Sequence, residues 1–294
     1  MGHDDPMADQ PVDPPAAAVT EAVTRALAED LLPLGDLTAA LVPAATTARL
    51  TISSRSPGVV AGRCCAEEAF AQVDPGLTVL WHLADGSAVA PGDVVAEVSG
   101  RLRPILTAER TALNFLGHLS GVATLTRRYV DQVHRVDPAV RVLDTRKTTP
   151  GLRALEKAAV RAGGGHNHRA SLSDAVLLKD NHLGRVGITS AVGAARRRWP
   201  GRMVEVECER PDQVEEACRA GATVVLLDNM SPTEAAAAVR LARATAPDVL
   251  IEVSGGITVD TVGHYAAAGV DLISVGALTH SAPVLDLGLD LVAD

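Results

Sequence analysis

Aromatic residues are nearly absent from this chain: two Trp, two Tyr and two Phe in 294 positions. Proteins that hold single-stranded nucleic acid stack its bases on aromatic side chains, so that class is disfavoured, and the interior has to be built from Ala, Val and Leu. Net positive charge is missing as well. The formal charge is −9 and the pI is near 5.5, which argues against a general DNA or RNA footprint. No apolar run reaches the length of a membrane span, and the N-terminus lacks a secretory-signal pattern. The chain is therefore expected to be soluble and cytoplasmic, with no membrane or nucleic-acid partner. Cysteines are few. Cys64, Cys65, Cys208 and Cys218 show neither metal-ligand spacing nor a secreted disulfide framework, and are expected to serve as small hydrophobes.

What remains is the composition of a globular enzyme, 47% hydrophobic and 21% charged, long enough for one large domain or two moderate ones. Residues 1–15 are rich in Pro and Asp and are expected to be disordered. An amphipathic helix is expected over about 16–32, stopped by Pro33 and Gly35. Short alternating segments punctuated by Gly and Pro over 48–106 read as strands and turns. The stretch beginning "TAERTALNFLGHLSG" reads as one or two long helices, with Thr107 as N-cap and apolar positions 113, 116, 119, 122 and 125 along one stripe.

After residue 139 strand-like and helical segments alternate. "VRVLDTRK", "AVLLKDNH", "MVEVECE", "TVVLLDNM", "LIEVSGG" and "LISVGAL" are six apolar strands, with helices expected at 151–163, 188–199, 210–221, 231–245 and 258–269. This rhythm implies a parallel sheet with helical crossovers, either an open doubly wound sheet or a barrel. Each strand ends in a chemically useful group: Thr145 to Lys147, Lys179, Glu207, Asp228, Ser254 and Gly276. A barrel gathers all strand ends at one mouth, whereas an open sheet uses only those at a switch point, so the pattern favours the barrel. Strand parity puts Glu205 with Glu207, Leu226 with Asp228 and Glu252 with Ser254 on the inward face. Carboxylates on neighbouring strand ends suit Mg2+, which keeps several waters and takes substrate phosphate oxygens.

The window from Arg141 to His182 is positive within a negative protein, with eight Lys and Arg against four Asp and Glu. Arg146 and Arg169 offer forked donors for carboxylates, and Lys147 and Lys179 offer point charges. His168 sits among them. The small-residue strand ends "VSGGI" (253–257) and "SVGAL" (274–278) could present backbone N–H groups to a phosphate. An anionic ligand carrying both carboxylate and phosphate groups accounts for the cations.

The segments "TAERTALNFLGHLSGVAT", "LDTRKTTPGLRALEKAAVRAGGG", "NHRASLSDAVLLKDNH", "VEVE", "LLDNMSP", "IEVSGGI" and "ISVGALTHSAP", together with "GDLTAALVP" at 35–43, resemble the quinolinate phosphoribosyltransferases from about residue 17 to 288. Ser171 stands where the family usually has glycine, Ala158 replaces a usual aromatic, and "CERP" is unusual; these touch packing and loop shape rather than charge. The resemblance implies an N-terminal α/β sandwich (16–118, rejoined by 283–294) and an open or irregular α/β barrel (119–282). It also implies transfer of phosphoribose from 5-phosphoribosyl-1-pyrophosphate to quinolinate with decarboxylation, using Mg2+ and no organic cofactor. The family works as a homodimer in which the neighbour completes the site. By position Arg110 would reach the partner's quinolinate, while Arg146, Arg169 and Lys179, with His168 and Thr145 nearby, would bind its carboxylates. Lys147 would serve the phosphorylated sugar, and Ser254, Gly255, Gly256, Val275, Gly276 and Ala277 its phosphate, with His280 assisting. Glu207 and Asp228 would hold Mg2+ through water. Relatives acting on another acceptor, such as nicotinate or in a molybdenum-associated role, and a silent anion-binding barrel are the alternatives.

Overall fold

The structure, a computed structural model, describes residues 13–184 and 186–292, so most of the expected tail lies outside the described residues. The elements run α1 (Ala16–Leu31), β1 (Thr47–Ser54), β2 (Gly58–Val59), α2 (Arg63–Val73), β3 (Thr78–Trp81), β4 (Ala88–Val89), β5 (Val94–Arg101) and α3 (Leu102–His134). They continue with β6 (Arg141–Leu143), α4 (Arg153–Ala162), β7 (Val176–Leu178), α5 (Asp180–Leu183), α6 (Ile188–Arg198), β8 (Val204–Cys208), α7 (Pro211–Ala220) and β9 (Val224–Asp228). The last are α8 (Pro232–Thr245), β10 (Leu250–Ser254), α9 (Val262–Ala266), β11 (Leu272–Ser274), α10 (Ala277–His280) and β12 (Leu287–Leu291). The chain forms two compact units, the first from residues up to 127, 148–164 and 277 onward, the second from 128–147 and 165–276.

The first unit is built on a four-stranded sheet in the order β12-β1-β5-β3, with antiparallel pairing throughout. Leu50 and Ile52 of β1 and Ala96 and Val98 of β5 are buried, as the alternating text predicts, and Val95 is buried at the register shift between the two strands. Helices α1 and α2 pack together, and Thr20 and Thr24 of α1 donate to Glu68 and Gln72 of α2. Ser120 of α3 bonds both the N–H and the C=O of Ala61, and Thr124 accepts from the N–H of Val59. The C-terminal segment crosses α3 where it carries glycine at 117 and 121. Leu285 N donates to Gly117 O, and a Cβ at Gly121 would lie 2.1 Å from Pro283 O. Only a residue without a side chain lets two backbones approach so closely.

The second unit is the six-stranded parallel sheet that the alternating rhythm anticipates, ordered β6-β11-β10-β9-β8-β7. It is an open α/β barrel, and the strands at its two ends, β6 and β7, mark where it is broken. The outward face is covered by helices whose termini the sequence specifies. Pro211 and Pro232 occupy first turns, Ser231 and Glu234 form a reciprocal capping box, and Gly221 closes α7 in the left-handed region. Buried apolar side chains of the sheet are mostly Val, Leu and Ile, among them Val206, Val225, Leu227, Ile251 and Ile273. The scarcity of aromatics is met by small branched residues. Cys65, Cys208 and Cys218 are buried as expected, and desolvation pushes the Cys208 thiol up to about 12.

Three details differ from the sequence reading. Thr107 is not an N-cap. The helix begins at Leu102 with Pro104 in its first turn, and Thr107 Oγ1 donates to Arg103 O four residues back. The expected domain boundary at 118/119 falls inside α3, because nothing in that helix breaks its periodicity; the division falls after residue 127. The helix expected at 151–163 forms, as α4, yet residues 148–164 cluster with the first unit.

Because the Gly121 contact is backbone to backbone, Gly121→Ala is expected to lower unfolding free energy by at least about 2 kcal/mol, an overpacking cost. Urea denaturation checks this, with the exposed Gly184→Ala variant, whose backbone is not in the left-handed region, compared alongside.

Candidate active site

The carboxyl ends of the parallel strands enclose a cavity of about 400 Å3 that lies wholly within the second unit. Its lining contains four cations, Arg146, Lys147, Arg169 and Lys179, and three acids, Glu207, Asp228 and Glu252. His168, Thr145, Ser254 and Ser274 add polar atoms, and Leu177 and Leu226 add apolar surface.

The cationic side is built by two adjacent loops. β6 ends at Leu143, which forms a parallel bridge with His166, and the Asp144 N–H donates to His166 O. Asp144 itself is fully buried. Its carboxylate accepts from Asn167 Nδ2 at 2.6 Å and from the His168 N–H at 2.9 Å. One acid thus locks the segment carrying Thr145, Arg146 and Lys147 to the segment carrying His168 and Arg169. Thr145 Oγ1 accepts from the Lys147 N–H, turning the chain after the strand. Arg169 is anchored through Nη1 to Ala175 O. Burial, and after it the positive charge of Arg146, hold the Arg169 pKa below its usual value. Two guanidiniums brought within each other's field are a ready receptor for an anion. Ser171 and the N–H groups of Ala170 and Ser171 bond Asp174, keeping its carboxyl below the ordinary range and fixing the loop that follows.

The acidic side comes from strand parity. Glu207 lies opposite Leu226 in the β8–β9 register, and Asp228 lies opposite Ser254 in the β9–β10 register. Ser254 Oγ donates to Asp228 at 3.1 Å, and Asn229 Nδ2 donates at 2.7 Å. Lys179 Nζ is ion-paired with Glu207. Deeper, Glu205 and Glu252 share His168: its Nε2 is 3.0 Å from Glu205 and 3.6 Å from Glu252, and Ser274 donates to Glu252. Burial first, then the charge of Glu205, raises the Glu252 carboxyl to about 8.

Thus Thr145, Arg146, Lys147, His168, Arg169, Lys179, Glu207, Asp228 and Ser254 meet around one cavity, as expected for a common site. Gly255 and Gly256, both at positive φ, and Val275, Gly276 and Ala277 sit just past β10 and β11 but are not among the lining residues. Arg110 is exposed on α3 and His280 exposed at the end of α10, both in the first unit and outside the cavity lining. The positive window from 141 to 182 is also not one surface. Arg153, Lys157 and Arg161 lie on α4 in the first unit, and only four of its cations line the cavity. The sequence reading gave no role to Asp144, Glu252 or Ser274. Parity already turned Glu252 inward, but the tie between Asp144 and the 166–168 segment depends on a contact that local sequence does not encode.

Glu252 has a testable effect on stability. Its folded pKa is raised, so the folded state holds a proton that the unfolded chain releases near the ordinary Glu value. Its stabilising contribution is full below that value and is lost as pH rises toward and through about 8. Thermal unfolding across this range should show stability declining with pH, and Glu252→Gln should flatten the slope.

The two family models that match the chain meet inside α3, near residue 121. The N-terminal domain model of quinolinate phosphoribosyl transferase matches residues 36–120 and the C-terminal domain model matches residues 122–290. A nicotinate-nucleotide pyrophosphorylase [carboxylating] of Mycobacterium leprae is 43% identical over 280 residues, covering 93% of this chain and 97% of its own. A protein of Bacillus subtilis named as a probable enzyme of the same kind is 39% identical over 259 residues, 87% of this chain and 88% of its own. The solved structure of the nicotinate-nucleotide pyrophosphorylase from Francisella tularensis superposes with a TM-score of 0.90 at 39% identity, covering 97% of this chain and 99% of that one.

Proposed function

The chain belongs to the quinolinate phosphoribosyltransferase family, and we propose that the second-unit cavity is where it carries out the family's reaction. It is a pentosyltransferase that moves the phosphoribosyl group of 5-phosphoribosyl-1-pyrophosphate to quinolinate with decarboxylation, yielding nicotinate mononucleotide, pyrophosphate and CO2 for NAD biosynthesis. The observation that carries the assignment to this cavity is the meeting of Arg146 and Arg169 with Glu207 and Asp228 around it. A diacid needs cations, and a ribose ring that gains positive character needs acids, within one reaction distance.

Arg146, Arg169 and His168 take the carboxylates of quinolinate, and the Lys179 ammonium adds to the charge of the two guanidiniums. Forked guanidinium donors fix the plane of the ring as well as its position, which is the orientation problem in bringing the pyridine nitrogen to the ribose carbon. Lys147 serves the phosphorylated sugar, and the turns at Gly255 to Gly256 and Val275 to Ala277 its phosphate. As pyrophosphate leaves, the ribose ring gains positive character, and Glu207 and Asp228 stabilise it. The new bond makes the ring nitrogen cationic. The adjacent carboxylate then leaves as CO2, and its electron pair is held beside that charge until a proton replaces it.

Glu207 and Asp228 fit a hard cation with few protein ligands, because both are carboxylates on neighbouring strand ends at the cavity wall. Mg2+ held there, through water, would offset the negative charge of the leaving pyrophosphate. Arg110, exposed on α3, is proposed to reach the acceptor bound by a partner subunit in a homodimer, with His280 assisting at the phosphate end. Among the described residues no helix is long and apolar enough to cross a membrane, and the proposed location is the cytoplasm.

Mixing the protein with quinolinate, 5-phosphoribosyl-1-pyrophosphate and Mg2+ should release one CO2 per pyrophosphate and give nicotinate mononucleotide; no mononucleotide would overturn the function, and a mononucleotide from nicotinate without CO2 would reassign the acceptor. Arg146→Ala should lower kcat/KM for quinolinate by at least about a hundredfold, in line with losing a charged bidentate contact and the positioning it gives. Glu207→Ala and Asp228→Ala should each lower kcat by about a hundredfold, with smaller effects on quinolinate KM. Steady-state kinetics separates the two patterns.

A further inference from the structure

At the floor of the cavity a histidine and two glutamates meet almost out of reach of solvent. Glu205 is 1% exposed and Glu252 2% exposed, on β8 and β10. His168 Nε2 stands 3.0 Å from Glu205 Oε2 and 3.6 Å from Glu252 Oε1, and Ser274 of β11 donates to Glu252 Oε1. The transfer chemistry above uses neither glutamate. Burying carboxylates costs several kcal/mol for each ion unless a charge compensates, and apolar side chains of similar size would fill the same space without that cost.

We propose that Glu205, backed by Glu252 and Ser274, is a positioning residue that holds His168 as an imidazolium, so that His168 meets an acceptor carboxylate as a cation. This rests on reading His168 as an acceptor-binding residue. The reasoning turns on the two ring nitrogens. Glu205 accepts the hydrogen on Nε2, which leaves Nδ1 as the other polar atom of the ring. In a neutral ring Nδ1 is then a bare lone pair, which repels a carboxylate. In an imidazolium Nδ1 carries a second N–H, which attracts one.

The surroundings push against that charge. Arg169 follows His168 directly, and Arg146 projects into the same cavity, so a third cation there is disfavoured without an anion beneath it. Lys179 is occupied with Glu207, Asp228 with Ser254 and Asn229, and Asp144 with the backbone N–H of His168 and the Asn167 amide. Glu205 is the acid closest to the ring nitrogen. Glu252 takes the other part. Burial first, then the charge of Glu205, raises the Glu252 pKa and so favours its protonated form. In that form it completes the network as a neutral partner held by Ser274.

The same three side chains present ligand atoms within 4.8 Å of one another, a spacing that could also suit a metal ion, so the experiment tests both. The full-length protein labelled with 15N-histidine reports the protonation of His168, assigned by comparison with His168→Gln. At about pH 7.5 both ring nitrogens should show imidazolium shifts in the wild type, and Glu205→Gln should move them to neutral values. Glu205→Gln should raise the quinolinate KM by about tenfold, as for loss of a charged hydrogen bond, with kcat and the KM for 5-phosphoribosyl-1-pyrophosphate each changing less than about threefold. Glu252→Gln, isosteric with the neutral acid, should raise the quinolinate KM by only about threefold. A neutral His168 in the wild type overturns the proposal without any glutamate variant having to fold. So does a stoichiometric divalent ion that is lost from Glu252→Gln, or a Glu252→Gln effect as large as that of Glu205→Gln. His168→Ala separates the two layers. An unchanged quinolinate KM in that variant defeats the reading of His168 itself, whereas a raised KM there with none in Glu205→Gln defeats only the role of Glu205.

Discussion

Two guanidiniums and two lysines repel one another, yet this fold gathers Arg146, Arg169, Lys147 and Lys179 around a single cavity. The interaction that makes this possible is the buried carboxylate of Asp144, bonded to the side chain of Asn167 and the backbone of His168. It joins the loop after β6 to the loop before β7, the two strands at the ends of the open sheet. Without that tie, each cationic loop would be free to relax toward water and away from the other. With it, the cations are held near one another, and an anion placed among them would lower their mutual repulsion.

The parallel sheet supplies the other half. All of its strands point their carboxyl ends the same way, so polar groups at or near the ends of β8, β9 and β10 reach one cavity. Alternation along each strand then decides depth. Glu207, Asp228 and Ser254 stand at the cavity wall, while Glu205 lies two residues further in and is buried. The arrangement is layered: partly buried acids at the cavity wall, and fully buried acids against the histidine.

Specialisation of the second unit for charge leaves structural work to ordinary means. Its core is Val, Leu and Ile in place of aromatics, its helices are bounded by Pro, Ser–Glu boxes and Gly, and its cysteines are buried and kept as thiols. In the first unit, small residues on α3 let the C-terminal segment cross it and carry β12 to the edge of the antiparallel sheet.

Periodicity and end groups were enough to read the six parallel strands, their inward faces and seven of the side chains that line the cavity, and the run of cations added Arg169 with His168 beside it, since each of these depends on neighbours a few residues apart. The family resemblance, also local in its motifs, supplied the reaction. Three things came only from the tertiary structure. The six strands form an open barrel whose ends are β6 and β7, a matter of which strands pair across long sequence distances. The positive stretch from 141 to 182 divides, because α4 packs with the other unit. And His168, an unremarkable histidine in the linear text, lies against two buried glutamates drawn from strands 37 and 84 residues away in the chain. Side-chain chemistry is written locally, but electrostatic environment is a sum over everything the fold brings near, and that sum is fixed only when the chain has closed on itself.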